Sequence, residues 1–274
     1  MRREEIADGV FTVAAGDHRA MFIGGVAINS FGSDARARAY AEAIGRPVEF
    51  VIATIDHLDH TGRTAALGGP VLAHELCAAV MQRRGALAQR PADRVVRGAG
   101  EELELSGVPM RLLYPGPTQG TGNLAVQLPE QRVLFLAGPR ADARYGMLPD
   151  FHLRHVTRLW RELAALDVDV VVPARGAVMA PDQLVRAADY VDAIKVAAQE
   201  AFAEGVPIWV IEAMEPFVAE RLRDRFGDLD GFDRHIGIAS IRVVHHYLMG
   251  GWGMEDTSNP QALFTTVAEP WEAA

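Results

Sequence analysis

A nearly continuous apolar run in this chain ends directly at a cluster of ionisable residues. The run, residues 48–54, is rich in β-branched side chains, a pattern typical of a strand buried on both faces. The segment 56–60, D-H-L-D-H, follows it. Side chains at the end of a buried strand sit on a rigid scaffold. Two imidazoles and a carboxylate so close together suit a divalent ion such as Zn²⁺, although a polar turn capped by Asp59 has the same composition.

Strand and helix patterns alternate through the first 180 residues. One helix pattern begins after Ser33, a typical N-cap residue, and ends near Gly45. This alternation predicts an α/β or α+β fold with buried sheets. From Pro181 onwards the chain shows helix patterns and no convincing strand. We therefore expect a domain of residues 1–180 followed by a helical C-terminal extension of residues 181–274.

Composition and charge argue against nucleic acid and membranes as binding partners. The chain has 274 residues with 27 basic and 36 acidic side chains, a net charge of −9, which argues against a nucleic-acid partner. No apolar run approaches the roughly 20 residues of a membrane span, and we find no secretory signal. Cys77 is the single cysteine, so neither an internal disulfide nor a thiolate metal cluster is expected. We predict a cytoplasmic protein that has no membrane partner.

The segment 54–62 resembles the motif T-H-x-H-x-D-H-T-G of the metallo-β-lactamase fold superfamily. Isoleucine at position 55 stands where that motif has its first histidine. Five further segments resemble family motifs in the same order along residues 6–180, and they are 28–30, 71–75, 115–123, 134–139 and 169–176. The resemblance implies an αββα sandwich and a hydrolase that uses two metal ions sharing a hydroxide.

The C-terminal region resembles the alkylsulfatase-like branch of that superfamily. The resemblance rests on residues 242–248, on Gly251-Trp252 and on residues 259–263. In that branch the helical region after the catalytic domain contributes to dimerisation. The resemblance therefore implies a homodimer, and we include Trp252 among the candidate substrate-binding residues.

Most of the family's metal ligands are replaced in this sequence. The positions that the resemblance assigns to the first ion are Ile55, His57 and Gln119, and those of the second ion are Asp59, His60, Pro139 and Arg175. Isoleucine and proline side chains offer no donor atom, and a guanidinium repels a cation. A dinuclear zinc centre is therefore not expected. We expect either no metal or one divalent ion, zinc by preference, held by His57, Asp59 and His60.

Arg175 suggests a different use of the same pocket. The resemblance places its side chain near Asp59, where two unit charges 4 Å apart attract by about 4 kcal/mol at an effective dielectric constant of about 20. Desolvation offsets part of that attraction. Arg175 could bind an anionic group of a substrate, with Gln119 at the edge of the pocket. His57 or His60, freed from metal, could then act as a general base.

These substitutions favour proton-transfer chemistry over two-metal hydrolysis. We expect an enzyme of the lyase, cyclase or isomerase type that acts on a small, largely apolar organic molecule, in bacterial secondary metabolism. His57, Asp59, His60 and Arg175 are the predicted catalytic residues. Two alternatives remain open at this stage. One is a hydrolase with a single metal ion, and the other is a catalytically inactive protein of the same fold that binds a ligand or a partner.

Overall fold

Two β-sheets form the centre of the molecule. The computed structural model describes residues 1–145, 152–153 and 155–248. The first sheet has seven strands in sequential order: β1 (Arg2–Ala7), β2 (Val10–Ala15), β3 (His18–Ile23), β4 (Val26–Ile28), β5 (Phe50–Ala53), β6 (Val71–His74) and β7 (Arg94–Val96). Strands β1 to β4 pair antiparallel, whereas β4 to β7 pair parallel.

The second sheet has five strands in the order β12-β11-β10-β9-β8. Their bounds are β8 (Gly100–Leu105), β9 (Val108–Leu113), β10 (Ala125–Leu128), β11 (Val133–Leu136) and β12 (Val170–Pro173). Only the β11–β12 pair is parallel within this sheet.

The helices pack in two groups. The bounds are α1 (Asp34–Ile44), α2 (Leu58–Thr61), α3 (Glu75–Arg84), α4 (Val156–Ala164), α5 (Pro181–Ala203), α6 (Ile211–Phe226) and α7 (Phe232–Leu248), with a 3₁₀ turn at Thr64–Leu67. Helix α1 begins where the Ser33 side chain accepts a hydrogen bond from the Arg36 amide, and it ends at Gly45 in the left-handed conformation. These are the boundaries that the sequence predicts.

The core consists of three apolar clusters that define four layers. One cluster lies between the two sheets and joins side chains such as Met21 and Ile52 to Leu112 and Phe135. A second lies between the first sheet and helices α1 and α3. The third covers the outer face of the second sheet with helices α4 to α7. The predicted αββα sandwich is therefore confirmed.

Helices α5, α6 and α7 follow residue 180, where the sequence predicts a helical extension. They share their apolar cluster with α4 and with the outer face of the second sheet. The division of the chain into residues 1–180 and 181–274 stays a prediction. Within the described ranges, no helix is long and apolar enough to cross a membrane. The sequence patterns do not predict β1 or β7. Both are edge strands of the first sheet; β1 consists mainly of charged residues, and β7 has only three residues.

Candidate active site

The carboxylate of Asp59 is the centre of a buried polar cluster. Its Oδ2 atom lies 3.2 Å from Nε2 of His18 and 3.4 Å from Nε2 of His60. The same oxygen accepts a hydrogen bond from the Arg175 guanidinium. The histidines and Asp59 are buried, whereas the Arg175 side chain keeps 32% of its surface exposed. One acidic oxygen therefore has three partners, and one of them reaches solvent.

Backbone contacts hold the elements that carry this cluster. Asp59 and His60 lie in the short helix α2, which follows β5, and the His60 carbonyl accepts a hydrogen bond of 2.8 Å from the amide of Ser30. Thr54, at the end of β5, donates through its amide and hydroxyl to the Asn29 side chain. Its carbonyl accepts from the amide of Leu124. The strand end is thus tied to both sheets.

His18 and Arg175 come together because two distant strands meet. Arg175 follows β12 and His18 begins β3, and their backbones form an isolated β-bridge. The amide of Gly176 also donates to the Asp17 carbonyl at 2.8 Å. In the sequence, residues 16–18, Gly-Asp-His, show only the pattern of a turn. His18 lies 41 positions before Asp59, and no motif connects the two, so sequence reasoning missed it.

The cluster has a defined charge state at neutral pH. Burial alone would raise the pKa of Asp59, but the hydrogen bond with His18 and the charge of Arg175 hold that pKa well below its usual range. Burial lowers the pKa of His60 to about 3, although the adjacent Asp59 opposes the shift. Asp59 is therefore an anion and His60 a neutral imidazole. Arg175 supplies the compensating positive charge.

A second arginine, Arg140, is buried and extends the network. Arg140 follows Pro139, the position at which the family resemblance implies a bridging aspartate. Its guanidinium donates to both carboxylate oxygens of Asp17, at 2.7 and 3.0 Å, and to both of Asp142, at 2.7 Å each. Asp17 also lies 3.7 Å from Nη1 of Arg175. Acidic and basic side chains thus alternate from Asp59 through Arg175, Asp17 and Arg140 to Asp142. Sequence reasoning missed Arg140.

Three donor atoms of the cluster fit a single metal ion. The ligand atoms of His18, Asp59 and His60 all lie within 4.8 Å of one another, and two imidazoles with a carboxylate suit Zn²⁺. Arg175 contacts the same Asp59 oxygen, so an ion and the guanidinium would compete for it. The predicted set contained His57 in place of His18. Among the described residues, it is His18, and not His57, whose ligand atom lies close to those of both Asp59 and His60.

The remaining predicted residues occupy different surroundings. The His57 side chain is buried, and its Nε2 has no hydrogen-bond partner among the described residues. Gln119 is buried in a tight turn in which the amide of Thr118 donates to the carbonyl of Gly120. Ile55 belongs to the apolar cluster between the sheets. Trp252 lies outside the described residues.

Two curated relatives align with almost the whole chain. The chain is 41% identical over 273 residues to the 2,4-dinitroanisole O-demethylase subunit beta of Nocardioides sp. strain JS1661, covering 95% of this chain and 86% of that protein. It is 34% identical to subunit alpha of the same enzyme, covering 93% and 82%. This chain belongs to the family of the dinitroanisole O-demethylase subunits. No protein-family model matches it.

Solved structures place this demethylase-subunit family in the metallo-β-lactamase fold. A metallo-β-lactamase from Pontibacter korlensis aligns with a TM-score of 0.59 and 17% identity, covering 70% of this chain and 98% of that one. FIM-1 from Pseudomonas aeruginosa, in its mono-zinc form, aligns with a TM-score of 0.60, 17% identity and coverages of 70% and 94%. The predicted fold family is confirmed. The alkylsulfatase-like branch stays a prediction.

The buried position of Arg140 leads to a prediction about stability. Arg140→Gln would leave Asp17 and Asp142 without their shared cation. Because the Asp17 side chain is 36% exposed, solvent screens part of the interaction, and we expect a loss of about 1–3 kcal/mol of unfolding free energy. Arg132→Gln is the matched control, because Arg132 also pairs with two aspartates, Asp167 and Asp169, but on the exposed surface. Denaturant unfolding at pH 7 should show a much smaller loss for this control.

The difference in unfolding free energy between wild type and Arg140→Gln should change with pH in a known direction. Burial would raise the pKa of Asp17, but Arg140 lowers it below the ordinary value. A carboxyl group with a depressed pKa in the folded state stabilises the protein above its unfolded pKa, about 3.9, and that contribution is lost as the pH falls through the folded pKa. The difference between wild type and Arg140→Gln should shrink below about pH 4. A difference that is independent of pH would contradict the ion-pair explanation.

Competition between Arg175 and a metal ion can be measured directly. We predict that zinc binds at about one ion per chain, and that Arg175→Ala strengthens binding by about tenfold because it removes a cation from the Asp59 oxygen. His18→Ala should abolish binding, whereas His57→Ala should not affect it. Isothermal titration calorimetry on metal-free protein checks all four. Equal affinities of wild type and Arg175→Ala, or loss of binding in His57→Ala, would contradict this assignment.

Proposed function

We propose that this chain is one of two related subunits of an enzyme that hydrolyses a small, electron-poor aryl alkyl ether. The observation that carries the proposal is the similarity, over almost the whole of this chain, to both subunits of one O-demethylase, at 41% and 34% identity. The name of that enzyme specifies 2,4-dinitroanisole, a small aromatic methyl ether. An apolar substrate of this size agrees with the substrate class predicted from the sequence.

The proposed reaction is substitution at the ring carbon that bears the alkoxy group. The oxygen of water forms a bond to that carbon, and the bond between the carbon and the alkoxy oxygen breaks. The departing alkoxide takes up the proton that water loses, so the products are a phenol and an alcohol. Nitro groups draw the negative charge of the intermediate away from the ring carbon. No oxidant is needed for this balance.

Arg175 is suited to stabilise that negative charge. Its guanidinium is anchored on Asp59 but keeps 32% of its side-chain surface exposed, so it can also meet a bound molecule. Donors that are already oriented before charge develops stabilise a transition state more than mobile ones. A planar guanidinium also matches the two oxygens of a nitro group or a carboxylate. Arg140, which is nearly buried and paired with two aspartates, supports Arg175 through Asp17.

His57 is suited to take the proton of the attacking water. Nε2 of His60 lies close to Asp59, and His18 shares a hydrogen bond with the same carboxylate. The Nε2 atom of His57 has no such partner among the described residues. If the group formed by His18, Asp59 and His60 holds a divalent ion, that ion would act as a Lewis acid next to the reaction.

The proposal differs from three of the expectations drawn from the sequence: the reaction type, the metabolic role and the homodimer. Elimination, isomerisation and cyclisation find no support in the names of the relatives, which specify removal of a methyl group from oxygen. A role in secondary metabolism finds none either. We also replace the predicted homodimer by an assembly with a related alpha-type subunit, because those relatives carry the names alpha and beta. A cytoplasmic location stays a prediction.

The contact between Arg175 and Asp59 favours a second candidate function. An internal cation on the central carboxylate is a stable arrangement without any ligand, so this chain could be the non-catalytic subunit that supports an active partner. The two candidates differ in whether substitutions in this chain abolish turnover once the assembly has formed.

We therefore predict the outcome of substitutions within the assembled enzyme. The chain should be produced together with an alpha-type relative and assayed by release of 2,4-dinitrophenol from 2,4-dinitroanisole. His57→Gln should lower kcat by about 100-fold or more, the usual contribution of a general base. Arg175→Gln should lower kcat/KM by a similar factor through lost charge stabilisation. Arg158→Gln, an exposed substitution on α4, is the control and should be silent.

Two results would contradict the proposal in different ways. Unchanged turnover by assemblies that contain His57→Gln or Arg175→Gln would place catalysis in the partner and favour the non-catalytic candidate. Failure of the assembled wild-type enzyme to cleave aryl ethers of any kind would contradict the proposed reaction. Size-exclusion chromatography of each variant would show whether the assembly itself is intact.

A further inference from the structure

Three polar atoms face the same side of Gly120. A Cβ atom built on Gly120 would lie 3.0 Å from Oδ1 of Asn123, 3.3 Å from Oδ1 of Asp56 and 3.8 Å from Nε2 of His57. All three residues are at least 95% buried. Gly120 has a φ of +98°, a conformation that favours glycine. The turn thus brings a bare backbone position against a group of buried polar atoms, which we call the Gly120 pocket.

Two of these three side chains, those of His57 and Asn123, have buried polar atoms without a partner within the described residues. Nε2 of His57 and both Oδ1 and Nδ2 of Asn123 are buried without a hydrogen bond. A buried polar group without a hydrogen bond is destabilising and rare in native proteins, so several of them in one place indicate a bound group that satisfies them. These atoms are therefore arranged for a small ligand.

The chemistry of the pocket selects a neutral hydroxyl. Asn123 offers both a donor and an acceptor, which suits a group that can donate and accept. Asp56 is already neutralised, because its Oδ2 accepts a 2.6 Å hydrogen bond from Arg84. A cation would therefore gain little from this carboxylate, while an anion would be repelled by its Oδ1. Water and small alcohols fulfil these conditions, and a buried water commonly makes about three hydrogen bonds.

We propose that the pocket beside Gly120 binds the water molecule that the reaction consumes, held by His57, Asn123 and Asp56. This inference rests on the proposed hydrolysis. In it, one O–H proton of the water passes to His57 Nε2 while the water oxygen bonds to the ring carbon, and the departing alkoxide later takes that proton. Asn123 and Asp56 are positioning residues that orient the water toward His57.

A crystal structure of the assembled enzyme tests the site without any assay of activity. We expect a water within hydrogen-bond distance of His57 Nε2 and the Asn123 side chain. Gly120→Ala should displace it, because the new methyl group would lie against its partners. Gly116→Ala is the matched control: Gly116 belongs to the same loop and also has a positive φ, +122°, but its Cβ would meet only Leu159. A metal ion in the pocket, or no ordered water, would overturn the proposal.

Kinetics test whether that water is the reactant. Gly120→Ala and Asn123→Leu should each lower kcat by about 100-fold and leave KM for 2,4-dinitroanisole within about twofold, since they act on water and not on the ether. Gly116→Ala should retain wild-type kcat. An ordered water together with unchanged kcat in both variants would overturn the catalytic assignment. An ordered water in a wild-type enzyme without ether-cleaving activity would overturn the proposed function and leave a structural water site.

Discussion

The carboxylate of Asp59 imposes the constraint on which the rest of the site depends. A buried anion must be compensated, and here one oxygen is shared by His18, His60 and Arg175. Its partners come from β3, α2 and the segment after β12, so the same charge joins both sheets and the short helix that follows β5. These contacts therefore hold the site together and link the two sheets, in addition to the apolar clusters that form the core.

The network beyond Asp59 explains how a pocket of this fold can retain its shape when metal ligands are lost. Arg175 supplies a positive charge at the position that the family resemblance assigns to the second ion. Arg140 supplies another, and the carboxylate of Asp17 lies between the two arginines. A guanidinium donates hydrogen bonds in fixed directions. Unlike a metal ion, it does not convert a bound water into a nucleophile. In the proposed reaction side chains hold the water, and the atoms of His57 and Asn123 that have no partner among the described residues are available for that task.

The sequence predicts the fold well because its signals are local. Buried β-branched runs mark β5 and β12, and Ser33 with Gly45 marks both ends of α1. The site is predicted only in part. Asp59, His60 and Arg175 lie in recognisable motifs, and the contact between Asp59 and Arg175 is present as expected. His18 and Arg140 carry no motif, since only the pairing of distant strands brings them to the cluster.

The location of an oxygen isotope in the products tests the central claim, hydrolytic attack on the aromatic ring, most directly. The assembled enzyme would convert 2,4-dinitroanisole in water enriched in ¹⁸O, and mass spectrometry would measure the label in both products. Our account predicts one ¹⁸O atom in 2,4-dinitrophenol and an unlabelled methanol. Label in methanol with an unlabelled phenol would show attack on the methyl carbon, and formaldehyde in place of methanol would show oxidative demethylation. Either result would contradict the account.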